Sequence, residues 1–455
     1  AGERQLFVDD VDIAKIDNLT RTMHQPVKRG AVIRHPDPHQ TLQTRTAPLW
    51  DPKDKLFKLW MTSALYGTSP DGIHWDVEPT SGGPNMVVID PHDPDPNRRY
   101  KAVRGNAGFV VSPDGKNWTN LDLPAIPSGD EYNFSYNTKE RLFIHTVKRG
   151  GKYGRAVAVA TSTDFQNWTD HGLIFETDDS DQELGIQRIK DRLNNPALKQ
   201  TEFDVPDHYS IQIYNMGMFF YESVFIGLPS VYHHTGKVPP SWPGFKKLNL
   251  SPQILNATSR YGDYTGFYTV QLVSSRDMKN WNRHGGRKPF IETSPLGGGA
   301  YDLQTIIGPS EPLDRGTELW FYYTGIKQYA FISSGNVPGY DDYVPNAGAI
   351  CLAVLRKDGF MSLDADESGG SLTTKLFKLP AGKLHVNVTC GKNAQLTAQV
   401  VEASGKVLAT SAPISGEQLS GELQWENADL TTATGKEVQL RFNLRNGQFY
   451  SYWFE

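Results

Sequence analysis

Carboxylates and amides stand at recurring places along this 455-residue chain, each just ahead of a short apolar run. Asp130, Glu131 and Asn133 lie in "GDEYN", Asp207, His208 and Gln212 in "DHYSIQ", and Asp302 and Gln304 in "AYDLQ". Asp9 and Asp10 lie in "QLFVDDVDI", and Arg45 stands in "TRTAPLW". Two carboxyl groups facing one cavity can cut a glycosidic bond. One, protonated, gives its proton to the leaving oxygen; the other, ionised, acts as base or nucleophile. Close carboxyls also drive each other's pKa apart, which supplies the two protonation states.

Asp302 leads the candidates, because the "LGGGA" stretch before it lets backbone approach a ligand closely. Asp130 holds the matching place one sheet earlier. Asp10 follows Asp9 in a strand, so the two point to opposite sides; one can enter a cavity, or both can cap an edge. Glu222, in "FFYESVF", lies among aromatics that would raise its pKa toward that of an acid, unless it sits in a distant hairpin. Arg45, His24, His208, Gln212, Gln304 and Arg287 are candidate substrate-binding groups. Arg104, His233 and His234 belong to the same chemical set. The arginines suit a carboxylate or sulfate on a sugar, with plain solvation as the alternative. "YHH" has no third partner at metal-ligand spacing, so zinc is not expected. No cofactor is required by this chemistry, and a structural calcium ion is left open.

Such groups need a frame, and a repeat supplies it. "TSPDGIHWD" starts at Thr68, and related turns occur as "VSPDGKNWTN", "TSTDFQNWTD" and "SSRDMKNWNR". Each places a Ser two residues before an Asp and a Trp four after it. A Ser-x-Asp turn closed by side-chain-to-backbone bonds, with Trp packed beneath, makes a tight hairpin. The four Asp, at 71, 114, 164 and 277, are spaced by 43, 50 and 113 residues. A period of about 40–50 residues with four strands each is the signature of a β-propeller. Five blades are predicted, the first beginning at "TRTAPLWDPKDKLFKLWMTS" and the fifth formed by "AYDLQTIIGPSEPLDRGTELWFYYTG" with "AGAICLAVLRKDGFMSL". In the fifth, Asp358-Gly359 replaces the repeat, without its Ser and Trp. The "RQLFVDDVDIA" strand is expected to complete the ring against the last blade. The long gap before Asp277 holds a helix in "DQELGIQRIKDRLNNPALKQ", with Leu184, Ile186, Ile189 and Leu193 near helical spacing, and a Pro/Gly-rich loop, "HHTGKVPPSWPGFKKLNLSPQ".

The composition shifts at "DADESGGSLTTK". Alternating strands without helix follow, so the expected fold is all-β: a five-bladed β-propeller over 1–365 and a small C-terminal β-sandwich over 370–455. In the propeller, the starts of the innermost strands should line the pocket, and the Ser-x-Asp turns should lie on the opposite face. The net charge of −5 argues against nucleic acid as partner. No apolar run reaches the ~18 residues of a membrane span. Cys351 and Cys390 are too few for a disulfide framework and are expected as buried thiols. The start on Ala fits a processed chain, secreted or periplasmic.

The turns and the five-blade layout resemble the five-bladed glycoside hydrolases of families 32, 43, 117 and 130. More closely, "QLFVDDVDI", "MHQPVK", "DPDPNRRYKAV", "LVSSRDMKNWNR", "RKPF" and "AVLRKDGFMSLDA…LTTK" resemble bacterial secreted proteins grouped as family 32-like glycosyl hydrolases. The resemblance implies a carbohydrate substrate and hydrolysis by carboxylates in the propeller funnel, exo-acting on a plant or algal oligo- or polysaccharide. The chain departs from family 32 in lacking its Trp-Met-Asn-Asp-Pro and Arg-Asp-Pro motifs. Where family 43 places an Asp in blade one, this chain has Arg45 and Asp51. Two rival expectations follow: a phosphorolytic enzyme holding phosphate with Arg45, His208 and Arg287, and a non-catalytic glycan-binding propeller.

Overall fold

A computed structural model describes residues 2–38, 40–247, 252, 255–256, 260, 262–328, 346–426 and 430–455. Five antiparallel sheets of four or five strands follow one another, and an 11-stranded sheet completes the chain. Blade one is Leu49–Asp51, Leu56–Met61, Leu65–Ser69 and Asp76–Pro79; blade two runs from Val87–Ile89 to Thr119–Asn120. Blade three comprises Tyr132–Asn137, Leu142–Gly151, Gly154–Ser162 and Thr169–Phe175. Blade four is built on Ser210–Tyr221 and Val224–Val238, with Asp263–Val270 as an added strand. Blade five is Thr305–Ile307, Glu318–Ile326, Gly348–Arg356 and Val27–Ile33, with Leu313–Asp314 beside its second strand. The fold class read from the repeat is the fold observed.

The repeated turns explain why the blades stay together. In three of the four, the Ser hydroxyl accepts the N–H three residues on (2.8 Å at Gly72, 2.8 Å at Gly115, 2.9 Å at Phe165), and in all four the Asp carboxylate accepts two further N–H groups. The residue at that position has positive φ in all four turns, as Gly72, Gly115, Phe165 and Met278. The Trp then reaches the blade before it. Trp118 meets Trp60 of blade one at 6.4 Å, and Trp168 stacks on Phe109 of blade two at 4.8 Å. Trp281 meets Phe175 of blade three at 5.8 Å and donates its indole N–H to the Ile174 carbonyl. Trp75 closes the circle on Tyr322 of blade five at 6.4 Å. All four indoles are half-buried seam wedges rather than core residues.

Blade five, without the repeat, solves the same problem differently. Phe360 is fully buried and lies 6.3 Å from Phe219 and 5.6 Å from Tyr221 of blade four. Asp358 turns from turn-former to anchor. Its carboxylate accepts from Tyr221 (2.6 Å), Arg4 (2.7 Å) and Ser451 (2.6 Å), the last from the C-terminal sheet.

The strand that closes the ring is Val27–Ile33, paired with Gly348–Arg356. The expected "RQLFVDDVDIA" closure is corrected: Gln5–Leu6 pairs with Ser451 and Tyr452 of the C-terminal sheet, and Ile13–Asp17 and Thr20–Met23 join that sheet too. Alternation decides this. Phe7 points into the sandwich core, 4.8 Å from Phe449, whereas Leu6 and Val8 point into the core between blades four and five. The segment is a strap whose Leu6, Phe7 and Val8 are buried between the two bodies, and residues 5–23 pair with the sandwich and not with the propeller.

In the sandwich, Leu384–Glu402 and Glu437–Phe454 pair along their length, with register shifts at Asn387/Val388 and Cys390/Gln395. Such bulges bend a strand and let one sheet fold over its own core of Leu396, Val400, Leu440, Phe442 and Phe449. Cys351 and Cys390 are free and buried. The helix spans Asp179–Leu193, opened by a capping box between Asp178 and Asp181. Its packed stripe is Asp181, Gly185, Ile189 and Arg192, and Leu184 is exposed. Gly185 sets this face, since a Cβ there would lie 2.3 Å from Ile211. Part of the Pro/Gly-rich loop, 248–251 and 253, lies outside the described residues. Among the described residues no helix is long and apolar enough to cross a membrane.

Gly115 tests the wedge. Its φ is +76° and a Cβ would fall 2.5 Å from the Trp60 ring, whereas Gly316, with φ +84°, has nothing within 4 Å. Gly115→Ala is expected to lose about 2–3 kcal/mol in urea unfolding, and Gly316→Ala only about 1 kcal/mol. Equal losses would show that the seam tolerates displacement of Trp60.

Candidate active site at the propeller mouth

First and third strands of a blade run in the same direction, so the Ser-x-Asp turns lie at the face where the inner strands end. The inner strands therefore begin on the opposite face, the mouth, where Arg45, Glu131, Ser210 and Gln304 stand.

A cross-tie plugs the channel below the mouth. After Thr305–Ile307 the chain runs through Gly308, Pro309 and Ser310 across the axis. Ser310 N–H donates to the Arg45 carbonyl (2.8 Å), and its hydroxyl donates to the same oxygen and accepts from Phe134 N–H (3.0 Å). Asn133 donates to both the Arg45 carbonyl and the Ser310 hydroxyl, each at 3.2 Å. Gly308 N–H donates to Ser230 of blade four (3.0 Å). Gly217 is required here: a Cβ would stand 1.8 Å from the Pro309 carbonyl oxygen. Blades one, three, four and five are thus tied at one level, which forms a floor beneath the mouth.

On this floor stands a buried ion pair. Arg45 binds Glu131 through two parallel bonds, Nε–Oε2 at 2.6 Å and Nη2–Oε1 at 2.7 Å. Burial acts to lower the Arg45 pKa, and the Glu131 carboxylate outweighs it, leaving the guanidinium more firmly charged than usual. Arg45 was expected to hold substrate; its fork is instead filled by Glu131. The neighbouring Asp130 diverges outward, with its side chain 74% exposed, and pairs with Lys148 at 2.7 Å. Desolvation acts to raise Asp130, but the Lys148 ammonium outweighs it and holds the carboxyl below its ordinary range.

Lys148 also lies 3.8 Å over the ring of Tyr214. That ring meets Tyr268 at 5.0 Å, which stacks on Tyr232 at 4.9 Å. Arg155 lies 5.4 Å from the Tyr232 ring and 5.6 Å from that of Tyr264, and it donates to Gln212 Oε1 at 2.8 Å. His234 bonds the Tyr232 hydroxyl at 2.7 Å. Burial lowers His234 to about 4, so it is neutral near pH 7. At the seam of blades four and five, Gln304 donates to Glu202 Oε2 (2.7 Å), as does Thr265 (2.8 Å). Burial raises the Glu202 pKa, and its Oε1 has no hydrogen-bond partner. A carboxyl held toward its acid form and one held ionised therefore lie on the same face.

The remaining predicted groups scatter. Asp302 bonds Lys28 (2.7 Å) from the outermost strand of blade five and Tyr323 (2.8 Å) from its second strand. It lies within the blade, before the inner strand begins at Thr305, and is not brought to Asp130. Asp10 pairs with Arg21 on the strap, and Asp9 binds Arg276, beside the Asp277 turn, at 2.8 Å. Both belong to the face opposite the mouth, because the strap pairs with the sandwich. Glu222 occupies the far hairpin with φ +47°, accepting Arg4 N–H at 2.8 Å. His24 bonds Ser362 (2.6 Å) beside the sandwich, and Arg287 grips Asp178 (2.5 and 2.9 Å) at the helix start. His233 stacks on Phe267 at 4.3 Å. His208 is exposed at the mouth rim, as is Arg104, whose guanidinium faces the neutral Asn120 at 3.5 Å. Arg45, His208 and Arg287 do not converge, so the phosphate cluster they were expected to form is absent among the described residues. Among those residues, too, no group of three His, Cys, Asp or Glu is placed to hold a metal ion.

Glu202, Lys148, Tyr214 and Ser310 escaped the sequence reading. Lys148 sits at the mouth end of a predicted strand, which was a usable signal. Glu202 had none: it lies in an irregular segment, and only packing against Thr265 and Gln304 brings it here.

No protein-family model and no curated protein matches the chain. Solved structures are similar in outline. The catalytic domain of a Coprinopsis cinerea GH62 alpha-L-arabinofuranosidase is 10% identical over 74% of this chain and 98% of its own, with a TM-score of 0.42. A thermostable family-43 glycoside hydrolase is 11% identical over 76% and 96%, TM-score 0.38. The Bombyx mori GH32 beta-fructofuranosidase is 11% identical over 96% and 93%, TM-score 0.33.

Two outcomes are expected from this geometry. Asp302→Asn, which leaves Lys28 without its counter-ion, should cost about 1–3 kcal/mol in thermal unfolding; an unchanged melting curve would refute a structural role. Glu311, next to the cross-tie, is raised to about 8 by burial, against a small opposing bond from Tyr136 N–H. Its folded pKa exceeds the unfolded value near 4.5, so stability should fall as pH rises from about 4.5 and level off above about 8. Glu311→Gln should remove that part of the decline, on the order of a few kcal/mol, when wild type and variant are unfolded across this range.

Proposed function

We propose that this chain is a glycoside hydrolase whose substrate is a saccharide bound at the plugged mouth. The reading is carried by two carboxyls at the mouth face in opposite environments: Asp130, exposed and held ionised by Lys148, and Glu202, whose burial raises it toward its neutral form. Opposite environments for two carboxyls are how acid and base roles are assigned at one pH.

In this reading Glu202 gives its proton to the glycosidic oxygen as the bond to the anomeric carbon breaks. Asp130 takes a proton from the water that attacks that carbon, and two shorter saccharides leave. Positive charge developing on the ring oxygen and carbon faces Asp130 and Glu131. The floor at Ser310 supports chain-end action, because a chain can enter the pocket but cannot thread it. A non-catalytic glycan-binding role is the second reading, favoured by the ion pairing of both Asp130 and Glu131.

Release of reducing ends from a panel of plant and algal oligosaccharides, with and without phosphate, tests the reading. Asp130→Asn and Glu202→Gln should each lower turnover by about two to four orders of magnitude with melting temperatures close to wild type. Saccharide binding without any turnover would establish the second reading, and turnover dependent on phosphate would establish phosphorolysis.

A further inference from the structure

We propose that the seam between blades one and two holds a second saccharide site, which takes one uncharged sugar ring against Trp118 and Tyr66. A cavity of about 170 Å3 lies there, and its lining includes none of the groups placed at the mouth. At about 30 Å3 per water molecule it has room for roughly six waters, the scale of a single sugar ring. The inference does not depend on hydrolysis at the mouth.

Cross-strand register builds one wall. Trp60 pairs with Tyr66, and Tyr66 with Glu78, so the three side chains stand in one row on the same face of blade one. Blade two supplies the other wall through its Ser-x-Asp turn, with Lys116 and Trp118. The linker 80–84 completes the lining. Its Gly83, at φ +137°, brings backbone to the Trp118 indole, where a Cβ would lie 3.6 Å from Nε1.

Trp118 differs from its three counterparts in what its indole N–H meets. Trp75 donates to the Gly72 carbonyl (2.9 Å) and Trp281 to the Ile174 carbonyl (3.0 Å), while the Trp168 Nε1 is sealed in its seam. The Trp118 ring lines the cavity, and its N–H has no hydrogen-bond partner among the described residues. The Tyr66 hydroxyl, on the same cavity, is likewise without a partner among those residues. Burial raises Tyr66 to about 12, so near pH 7 it is a neutral donor and acceptor.

Glu78 and Lys116 select the class of ligand. They approach each other at 3.6 Å with side chains 62% and 65% exposed, a loose pair that hydroxyl groups can enter. A quaternary ammonium would suit the rings and Glu78, but Lys116, 5.5 Å from the Tyr66 ring, opposes it. An anion would suit Lys116, and Glu78 opposes it. An uncharged ring with several hydroxyls suits every group. Its C–H face lies on an aromatic ring, and its hydroxyls accept from Trp118 and Lys116 and donate to Glu78.

Fluorine NMR of the full chain labelled with 5-fluorotryptophan tests the inference, the Trp118 signal being assigned by its loss in Trp118→Phe. At least one of glucose, galactose, xylose and arabinose should shift that signal saturably, with a Kd on the order of 1 mM. Tyr66→Phe and Glu78→Ala keep the reporter, and each should weaken binding about fivefold, with folding checked by melting curves. Asp130→Asn, at the mouth, should leave the titration unchanged. No shift with any of the four sugars, a Kd unchanged in either seam variant, or a stronger response to tetramethylammonium or glucuronate would overturn the inference. Turnover at the mouth with a silent Trp118 signal would remove this site and keep the hydrolase reading. Binding at Trp118 without any turnover would do the reverse.

Discussion

The structure depends on an aromatic wedge driven from each blade into the one before it. A propeller has no central core; its apolar surface lies in the seams between sheets. Here each seam has its own buried cluster, such as Trp60, Tyr66, Tyr100 and Val110 between blades one and two, and Phe109, Phe134, Phe143 and Phe165 between two and three. The Ser-x-Asp turn holds the Trp at the rim of that seam by fixing the backbone with Ser and Asp side-chain bonds, so local chemistry and ring closure are one device. Where the turn glycines occur, the wedge is tightened further: the Gly115 carbonyl accepts from Trp60 and the Gly72 carbonyl from Tyr322, both on the preceding blade.

Relaxing that device in blade five has a consequence at the other end of the molecule. Phe360 keeps the seam with blade four, and Asp358 is freed to gather Arg4, Tyr221 and Ser451. The sandwich and the N-terminal strap therefore dock where the repeat is missing. The strap brings Asp9 and Asp10 to the turn face.

At the axis, wedging alone would leave an open tube. The cross-tie of Ser310 to Arg45, Asn133 and Phe134 closes it, and that closure also fixes the backbone from which Arg45 reaches Glu131. A buried arginine–carboxylate pair is expensive to desolvate and is retained only where its geometry is good; two parallel bonds meet that condition. With Glu131 occupied, Asp130 is turned outward to Lys148, and the charge pattern of the mouth follows from the floor beneath it.

Sequence alone determined the blade count, the turn chemistry, the all-β class and which face carries the repeats, because a four-strand unit with a local side-chain signature repeats its own physics wherever it occurs. It also placed Arg45, Asp130, Glu131 and Asn133 at the starts of inner strands. Tertiary structure alone decided which of these groups are committed to one another. Asp302 and Asp130 occupy equivalent positions in the pattern, yet one is bound by Lys28 from the ring-closing strand, about 275 residues away along the chain, and the other stands at the solvent. Glu202, in a segment without periodicity, became part of the mouth only through Thr265 and Gln304. The route of the strap was equally hidden, since an alternating strand with both faces apolar can satisfy either partner, and here Phe7 and Leu6 satisfy both at once.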